Sequence, residues 1–388
     1  MEVRIINTEG SAQKVYASWL DTIYWISSKS KYKLLDEAGS VQEIYHMDET
    51  SVASVIGQRG CERFIQHRAR YKPGKVWNYL VQNGISYTYC QEADFPKRLT
   101  EIPDPPFGIF YKGRLPKETV PAVAVIGARK CSVYGRCMAE QFAAGFAARG
   151  INVISGMAMG IDGISQSAAL KAGGSSYAVL GSGVDIVYPK ANEALYTRLI
   201  EQGGVLSEYP PQMEPRPSLF PPRNRIISAL SDVVLVVEAR EQSGTLITVD
   251  MALEQGREVY TIPGRCTDSL SMGCNRLLRQ GAAVATAPED IIEDLCWENI
   301  LTKMSVGKVP AEVQDEALEK KLSPAAQEVY AALHTLPSTQ DEIVTKLRAQ
   351  KSICTIPQIC QGLVELELKG LAACQNGQYR RICDFHCV

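Results

Sequence analysis

The sequence is poor in the residue sets on which metal-dependent and nucleophilic catalysis rest. It has only four histidines in 388 residues, His46, His67, His334 and His386, and they lie far apart. Its twelve cysteines are scattered and form no C-x-x-C pair, which argues against a zinc site or a disulfide framework. Several stand in apolar surroundings, as Cys296 and Cys360 do, and read as reduced, mostly buried thiols. No metal and no cofactor is expected. Apolar runs long enough to span a bilayer, about 18 residues, are missing. The first twenty residues carry Glu2, Arg4, Glu9, Lys14 and Trp19 and do not look like a secretory signal. These features predict a cytoplasmic chain with no membrane partner. Excess charge is missing too: the formal net charge is −2, so a polyanion could be held only by a local patch. Neither G-x-G-x-x-G nor G-x-x-x-x-G-K-S/T occurs, which excludes the standard dinucleotide and Walker A loops.

What is present is an ordinary globular composition, 45% apolar, on a chain long enough for two or three domains. Residues 1 to about 70 are helical in pattern. Trp19, Ile23, Tyr24 and Ile26 space like one helix face, Gly39 reads as a C-cap, and a short helix starts near Asp48 and ends at Gly57. Arg63, His67, Arg68 and Arg70 form a basic run that reads as a solvated face. GISYTYC (84–90) reads as a strand, and Phe107 to Tyr111 as a second one.

From residue 121 to about 295, strand and helix alternate. AVAVIG (122–127), NVISG (152–156), SSYAVLG (175–181), GGVLSEY (203–209), DVVLVVEA (232–239), REVYTIPG (257–264) and AAVATA (282–287) are the strands. Unbroken apolar strands joined by helices predict an α/β fold with a parallel sheet covered on both faces. Ligands in such sheets sit at the carboxyl ends of the strands. There the loops carry Arg129 and Lys130, SGMAMGID with Gly156, GSGVDIVYPK, and Ser243-Gly244-Thr245 opening a helix. Glycine lets backbone N–H groups approach a phosphate, and a helix start adds its dipole. Asp162 reads as a helix cap, and Asp185 and Glu208 as acceptors for loop backbone. No nucleophile–base pair is found.

FPPRNRIISAL (220–230) is the most informative stretch. Two prolines lead into a helix whose first turn would carry Arg223, Asn224 and Arg225. Guanidinium forks beside a helix start suit phosphate, and Phe220 could stack on a base. The competing reading is a helix whose arginines pair with carboxylates and whose Phe is core.

Residues 301–321 hold four lysines and four acids without apolar periodicity and read as a linker. Residues 322–388 read as three helices and a hairpin with Asn376-Gly377 at its turn, a winged helix. That segment has six Lys and Arg against six Asp and Glu, and Glu365 and Glu367 lie on its third helix. Repulsion from phosphates opposes docking on duplex DNA, so protein contact or packing is the expected role.

The motifs VIGAR (125–129), SGMAMGID (155–162), GSGVDIVYP (181–189), LSEYP (206–210), FPPRNRIISALSD (220–232) and EAREQSGTLIT (238–248) resemble the DNA-processing protein A family, DprA or Smf. The resemblance implies an extended Rossmann-like domain over 76–298 that binds single-stranded DNA. It also implies a helical, SAM-like domain over 1–75, a linker over 299–321 and a winged helix over 322–388. It implies a cytoplasmic homodimer that protects incoming DNA and helps load RecA recombinase during natural transformation, without being an enzyme. By motif, Arg129, Lys130, Gly156, Phe220, Arg223, Asn224 and Arg225 are the expected DNA contacts, with Ser243, Gly244 and Thr245 as an extension. The family often has a glycine-bearing segment near its start, whereas 16–35 here has no glycine. The alternative function is a nucleotide-phosphate-binding enzyme of the nucleoside phosphate hydrolase type.

Overall fold

Helix-forming segments, three of them capped by the side chains of Ser27, Ser40 and Asp48, build the front of the protein. The computed structural model describes residues 9–297, 300, 322–333, 338–349, 352, 354–369, 371–375 and 377–381. The chain divides into two compact units, Met1–Asp294 and Leu295–Val388. Six helices open the first: α1 (Glu9–Asp21), α2 (Ser28–Ala38), α3 (Val41–His46), α4 (Glu49–Ile56), α5 (Gln58–Arg70) and α6 (Pro73–Gln82). The single helix expected through Trp19, Ile23, Tyr24 and Ile26 stops at Asp21. Thr22 turns its hydroxyl back onto the Trp19 carbonyl at 2.6 Å, a local bond that competes with helix continuation. Ser27 then caps α2. Gly39 adopts φ 78° as the C-cap of α2, and Asp48 caps α4 by accepting from the N–H groups of Thr50 and Ser51.

These helices share a core with the first two strands. Trp19, Leu20, Ile44 and Phe64 pack into one cluster with Tyr87, Tyr89, Phe107 and Phe110. One ion pair is sealed inside it: Lys31 Nζ donates to Asp21 Oδ1 at 2.8 Å, and the Tyr87 hydroxyl donates to Asp21 Oδ2 at 2.7 Å. Burial raises the pKa of the Asp21 carboxyl, and Lys31 opposes that rise.

The sheet has nine strands: β1 (Ser86–Tyr89), β2 (Gly108–Gly113), β3 (Ala122–Ile126), β4 (Asn152–Ser155), β5 (Ser176–Val179), β6 (Gly204–Ser207), β7 (Val233–Val236), β8 (Glu258–Thr261) and β9 (Ala283–Val284). Their order is β1-β2-β6-β5-β4-β3-β7-β8-β9. From β6 to β9 every neighbouring pair is parallel, and β1 and β2 add an antiparallel edge. The strand expected over 282–287 shrinks to two residues at the sheet's far edge, where only β8 pairs with it. The runs AVAVI and VVLV are buried at every position, as a sheet covered on both faces requires.

A short helix, α7 (Lys97–Thr100), lies between β1 and β2. The covering helices are α8 (Val133–Ala148), α9 (Ile161–Lys171), α10 (Glu193–Gln202), α11 (Phe220–Ala229), α12 (Gly244–Glu254), α13 (Met272–Arg279) and α14 (Pro288–Asp294). From β3 the chain runs outward through β4, β5 and β6, then returns beside β3 with β7. Such a reversal leaves a crevice at the carboxyl ends of the central strands.

The second unit contains helices Pro324–Ala332, Gln340–Ala349 and Ile356–Leu368 and the strands β10 (Ser338–Thr339), β11 (Ala372–Gln375) and β12 (Gln378–Arg381). The strands pair antiparallel in the order β10-β12-β11. Ala326, Val329, Ile343, Leu347, Ile359 and Leu363 form its core. Gly377, at φ 74°, supplies the left-handed turn between β11 and β12. Its expected turn partner Asn376, the linker segment 301–321, His334 and His386 lie outside the described residues.

Candidate functional site

The carboxyl ends of the central strands open into one cleft of about 670 Å³. Its walls come from the loop after β3, including Arg129 and Lys130, from Ala158 and Asp162 after β4, and from Tyr188 after β5. Phe220, Arg223 and Asn224 of α11, and Ser243, Gly244 and Thr245 at the start of α12, complete it. A smaller recess of about 60 Å³ adjoins it, lined in part by Gly156, Gly181, Tyr188 and Phe220.

Helix α11 begins at Phe220, three residues before the expected start. Proline suits the first helical turn because its fixed φ is helical and its missing N–H has no partner there, so Pro221 and Pro222 extend the helix forward. Phe220 is thereby held by the helix itself. Its ring stacks on Tyr188 with centroids 5.7 Å apart and planes 22° apart. The Arg129 guanidinium sits 5.4 Å from the Phe220 ring centre. Gly181 makes room for this ring, since a Cβ there would lie 2.6 Å from Phe220 Cδ1.

Arg223 forms the floor of the cleft and is only 5% exposed. Its Nη1 donates to the Gly156 carbonyl at 3.0 Å and also to the Val179 carbonyl, tying α11 to the ends of β4 and β5. Its Nε donates to Asn224 Oδ1 at 3.2 Å. Burial pulls the guanidinium pKa down to about 10 while Asp162 opposes the fall, so the group stays charged at neutral pH. Gly156 lies against it: an added Cβ would come 2.6 Å from Arg223 Nη2.

Asp162 does not cap α9 as expected. It lies inside the helix, whose cap residue is Gly160, and its Oδ2 accepts from the Gly156 N–H at 3.2 Å. Burial raises the pKa of its carboxyl, and Arg223 opposes the rise.

Arg225 is not brought to the cleft. Its Nη2 and Nη1 donate to the two Glu208 oxygens at 2.7 and 2.9 Å, and its Nε donates to Asp104 at 3.1 Å. Helical geometry is the reason: residues two apart point about 200° from each other, so Arg223 and Arg225 cannot share a face. Burial alone would lower the Arg225 pKa, but Glu208 and Asp104 outweigh it and raise it. Glu208 thus holds a guanidinium instead of loop backbone, and it also accepts from Ser28 Oγ at 3.1 Å. Asp185 accepts from the Gln212 N–H at 2.8 Å, as expected, and from the Tyr79 hydroxyl at 2.8 Å.

Four features of the site escaped the sequence reading. Tyr188 supplies the second ring of the aromatic pair; its place in the glycine-bearing loop 181–190 was the available signal. Arg240 lines the cleft, is exposed, and among the described residues makes no ion pair. Met157 takes a positive φ of 53°, held by Gln166 Oε1 on its N–H and Asn192 Nδ2 on its carbonyl. Ser243 Oγ is buried without a hydrogen-bond partner among the described residues.

The family described as DNA recombination-mediator protein A matches residues 86–296. Protein Smf of Escherichia coli (strain K12) is 38% identical over 373 residues, 94% of this chain and 96% of its own length. The chain belongs to the DNA recombination-mediator protein A family. The fold agrees: the crystal structure of DNA processing protein A (DprA) from Streptococcus pneumoniae is 33% identical, with a TM-score of 0.63, and covers 76% of this chain and 99% of its own. The structure of DNA processing protein A from Helicobacter pylori, solved for its single-stranded DNA binding mode, is 29% identical over 54% of this chain and 96% of its own, with a TM-score of 0.48. The six motifs quoted above, from VIGAR at 125–129 to EAREQSGTLIT at 238–248, lie within the family match. Among the described residues no helix is long and apolar enough to cross a membrane.

Proposed function

We propose that the cleft takes a single strand of DNA, with phosphates along its basic and helix-terminal wall and bases on its aromatic wall. The observation that carries this reading is the Tyr188–Phe220 stack with Arg129 over it, set beside the start of α12. Every base has a π-face, so an aromatic platform accepts any sequence. Arg129 and Lys130 are exposed and, among the described residues, make no ion pair, which leaves their charge for phosphate. The first N–H groups of α12 lack helical partners and carry the positive end of its dipole. Arg223 contributes a fixed positive charge beneath, and Gly156, having no Cβ, leaves room for its guanidinium. Arg225 acts one step away by anchoring α11. Membership in a recombination-mediator family supports DNA as the ligand class.

No bond is made or broken in this reading. The carboxyls near the cleft are committed: Asp162 to the Gly156 N–H, Asp185 to Tyr79 and Gln212, Glu208 to Arg225. The bound strand is protected and passed to RecA recombinase in the cytoplasm during natural transformation, with the chain acting as a homodimer. Residues 1–75, 76–298 and 322–388 serve as a helical domain, the DNA-binding domain and a winged helix for protein contact, with 299–321 as linker. The test compares an oligothymidine strand with a panel of mononucleotides. The strand is expected to bind and remain unchanged. Binding of mononucleotides alone, with turnover of one, would overturn the proposal in favour of a nucleoside phosphate hydrolase.

A further inference from the structure

The chain carries a second concentration of positive charge that the cleft does not use. Residues 58–75 contain six Lys and Arg and one acid, a net of 6 − 1 = +5, in a protein whose net charge is −2. One of the six, Arg68, is spent inside: its Nη1 donates to the carbonyls of Tyr45 and Met47 at 2.9 and 2.7 Å. The others point outward. Arg59, Arg63 and Arg70 are exposed at helical spacing along one face of α5, opposite the buried Cys61 and Phe64. Among the described residues none of these three, nor Lys75, makes an ion pair. A merely solvated face normally interleaves both signs; Glu62 is the only acid here.

Aromatic rings flank the same face. The Arg63 guanidinium lies 4.1 Å from the centre of the Trp25 ring, and the adjacent Tyr24 is 50% exposed. At the other end Arg70 lies 5.2 Å from the Tyr71 ring, which is 41% exposed. Guanidinium–aromatic pairs with an open ring are the elements of a stacking platform for unpaired bases. The run also leads toward the cleft. Lys75 lies on α6, and Tyr79 of the same helix hydrogen-bonds Asp185, three residues before the cleft's Tyr188.

We propose that the exposed face of α5, with Trp25 and Tyr71, is a second docking surface for single-stranded nucleic acid, taken by the part of a strand that extends beyond the cleft. This rests on the reading of the cleft given above. Phosphates lie on Arg59, Arg63 and Arg70, and bases lie on the exposed Tyr71 ring and the half-buried Trp25 ring. A duplex keeps its bases stacked inside and gains nothing from the rings, so the platform selects a single strand.

The experiment uses the full chain and the triple variant Arg59→Gln, Arg63→Gln, Arg70→Gln, with a short oligothymidine that fills only the cleft, a long one, and a duplex of the long length. All three arginines are exposed, so a thermal melt matching wild type is expected and serves as the control for folding. The short strand is expected to bind both proteins equally. The long strand is expected to bind the variant on the order of tenfold more weakly, with a log–log salt slope shallower by about 2, or 0.7 for each of three phosphates. Equal long-strand affinity and slope for both proteins would overturn the proposal and leave the cleft intact. A loss confined to the duplex would overturn the single-strand assignment. If wild type fails to bind the short strand but the variant still loses the long one, the reading of the cleft fails and the α5 surface stands. If wild type binds neither strand, both fall.

Discussion

Arg223 and Arg225 show how two residues of one type, two positions apart, take opposite jobs. Arg223 is a charged floor for the cleft, pinned to backbone carbonyls. Arg225 is an anchor, locked between Glu208 and Asp104. Replacing Arg225 with Ala leaves a mostly buried Glu208 without its cation, which costs about 3 kcal/mol. Chemical denaturation should show that loss, while the folded fraction still binds oligothymidine with wild-type salt dependence. Gly181 gives a second check at this scale. A Cβ there would collide with the Phe220 ring, so Gly181→Ala should displace the ring at a cost of about 1–3 kcal/mol. Weakened strand binding alongside a lower melting temperature is the expected pair of results, and unchanged binding would show that the ring's position does not matter.

At the scale of elements, α5 carries a pH-sensitive joint in its packing against α1. His67 Nε2 lies 2.9 Å from Thr22 Oγ1, between the rings of Trp19 and Tyr71. Burial, helped by Arg70 and Lys31, pushes its pKa from 6.5 down to about 4. The folded state therefore keeps the ring neutral where the unfolded chain would protonate it. The contribution is fully present above pH 6.5 and is lost as pH falls toward 4. Because the ring is only half-buried, solvent screening cuts the effect to about 1 kcal/mol. Melting curves across that window should be steeper in pH for wild type than for His67→Gln. Parallel curves would mean that His67 titrates normally in the fold.

The elements also show what a sequence can and cannot reveal. The strands were legible because apolar runs such as VVLV leave only a doubly covered parallel sheet. The α11 start was misplaced by three residues because two prolines look like an approach to a helix and act here as its first turn. The glycine-rich rim was legible as a phosphate-friendly surface from its loops alone. Which arginine faces it was not, because that depends on the rotation of α11, fixed by the distant Glu208 and Asp104. Nor could the Tyr188–Phe220 pair be read, since it joins residues that only the sheet order brings together.

At the scale of the whole molecule, a chain of net charge −2 is expected to gather a polyanion through two local surfaces, the cleft and the α5 face. Within the cleft, charge and stacking come from different side chains, and that separation makes the account testable. The most direct measurement is oligothymidine affinity as a function of salt for the wild-type chain, Arg129→Ala and Phe220→Ala. Arg129→Ala should weaken binding and make the log–log slope shallower by about 0.7, the loss of one phosphate contact. Phe220→Ala should cost about 1–3 kcal/mol of binding and leave the slope unchanged, because a base stack carries no counterion. Wild-type affinity and slope in both variants, with both proteins folded, would contradict the account and move the DNA site away from the cleft.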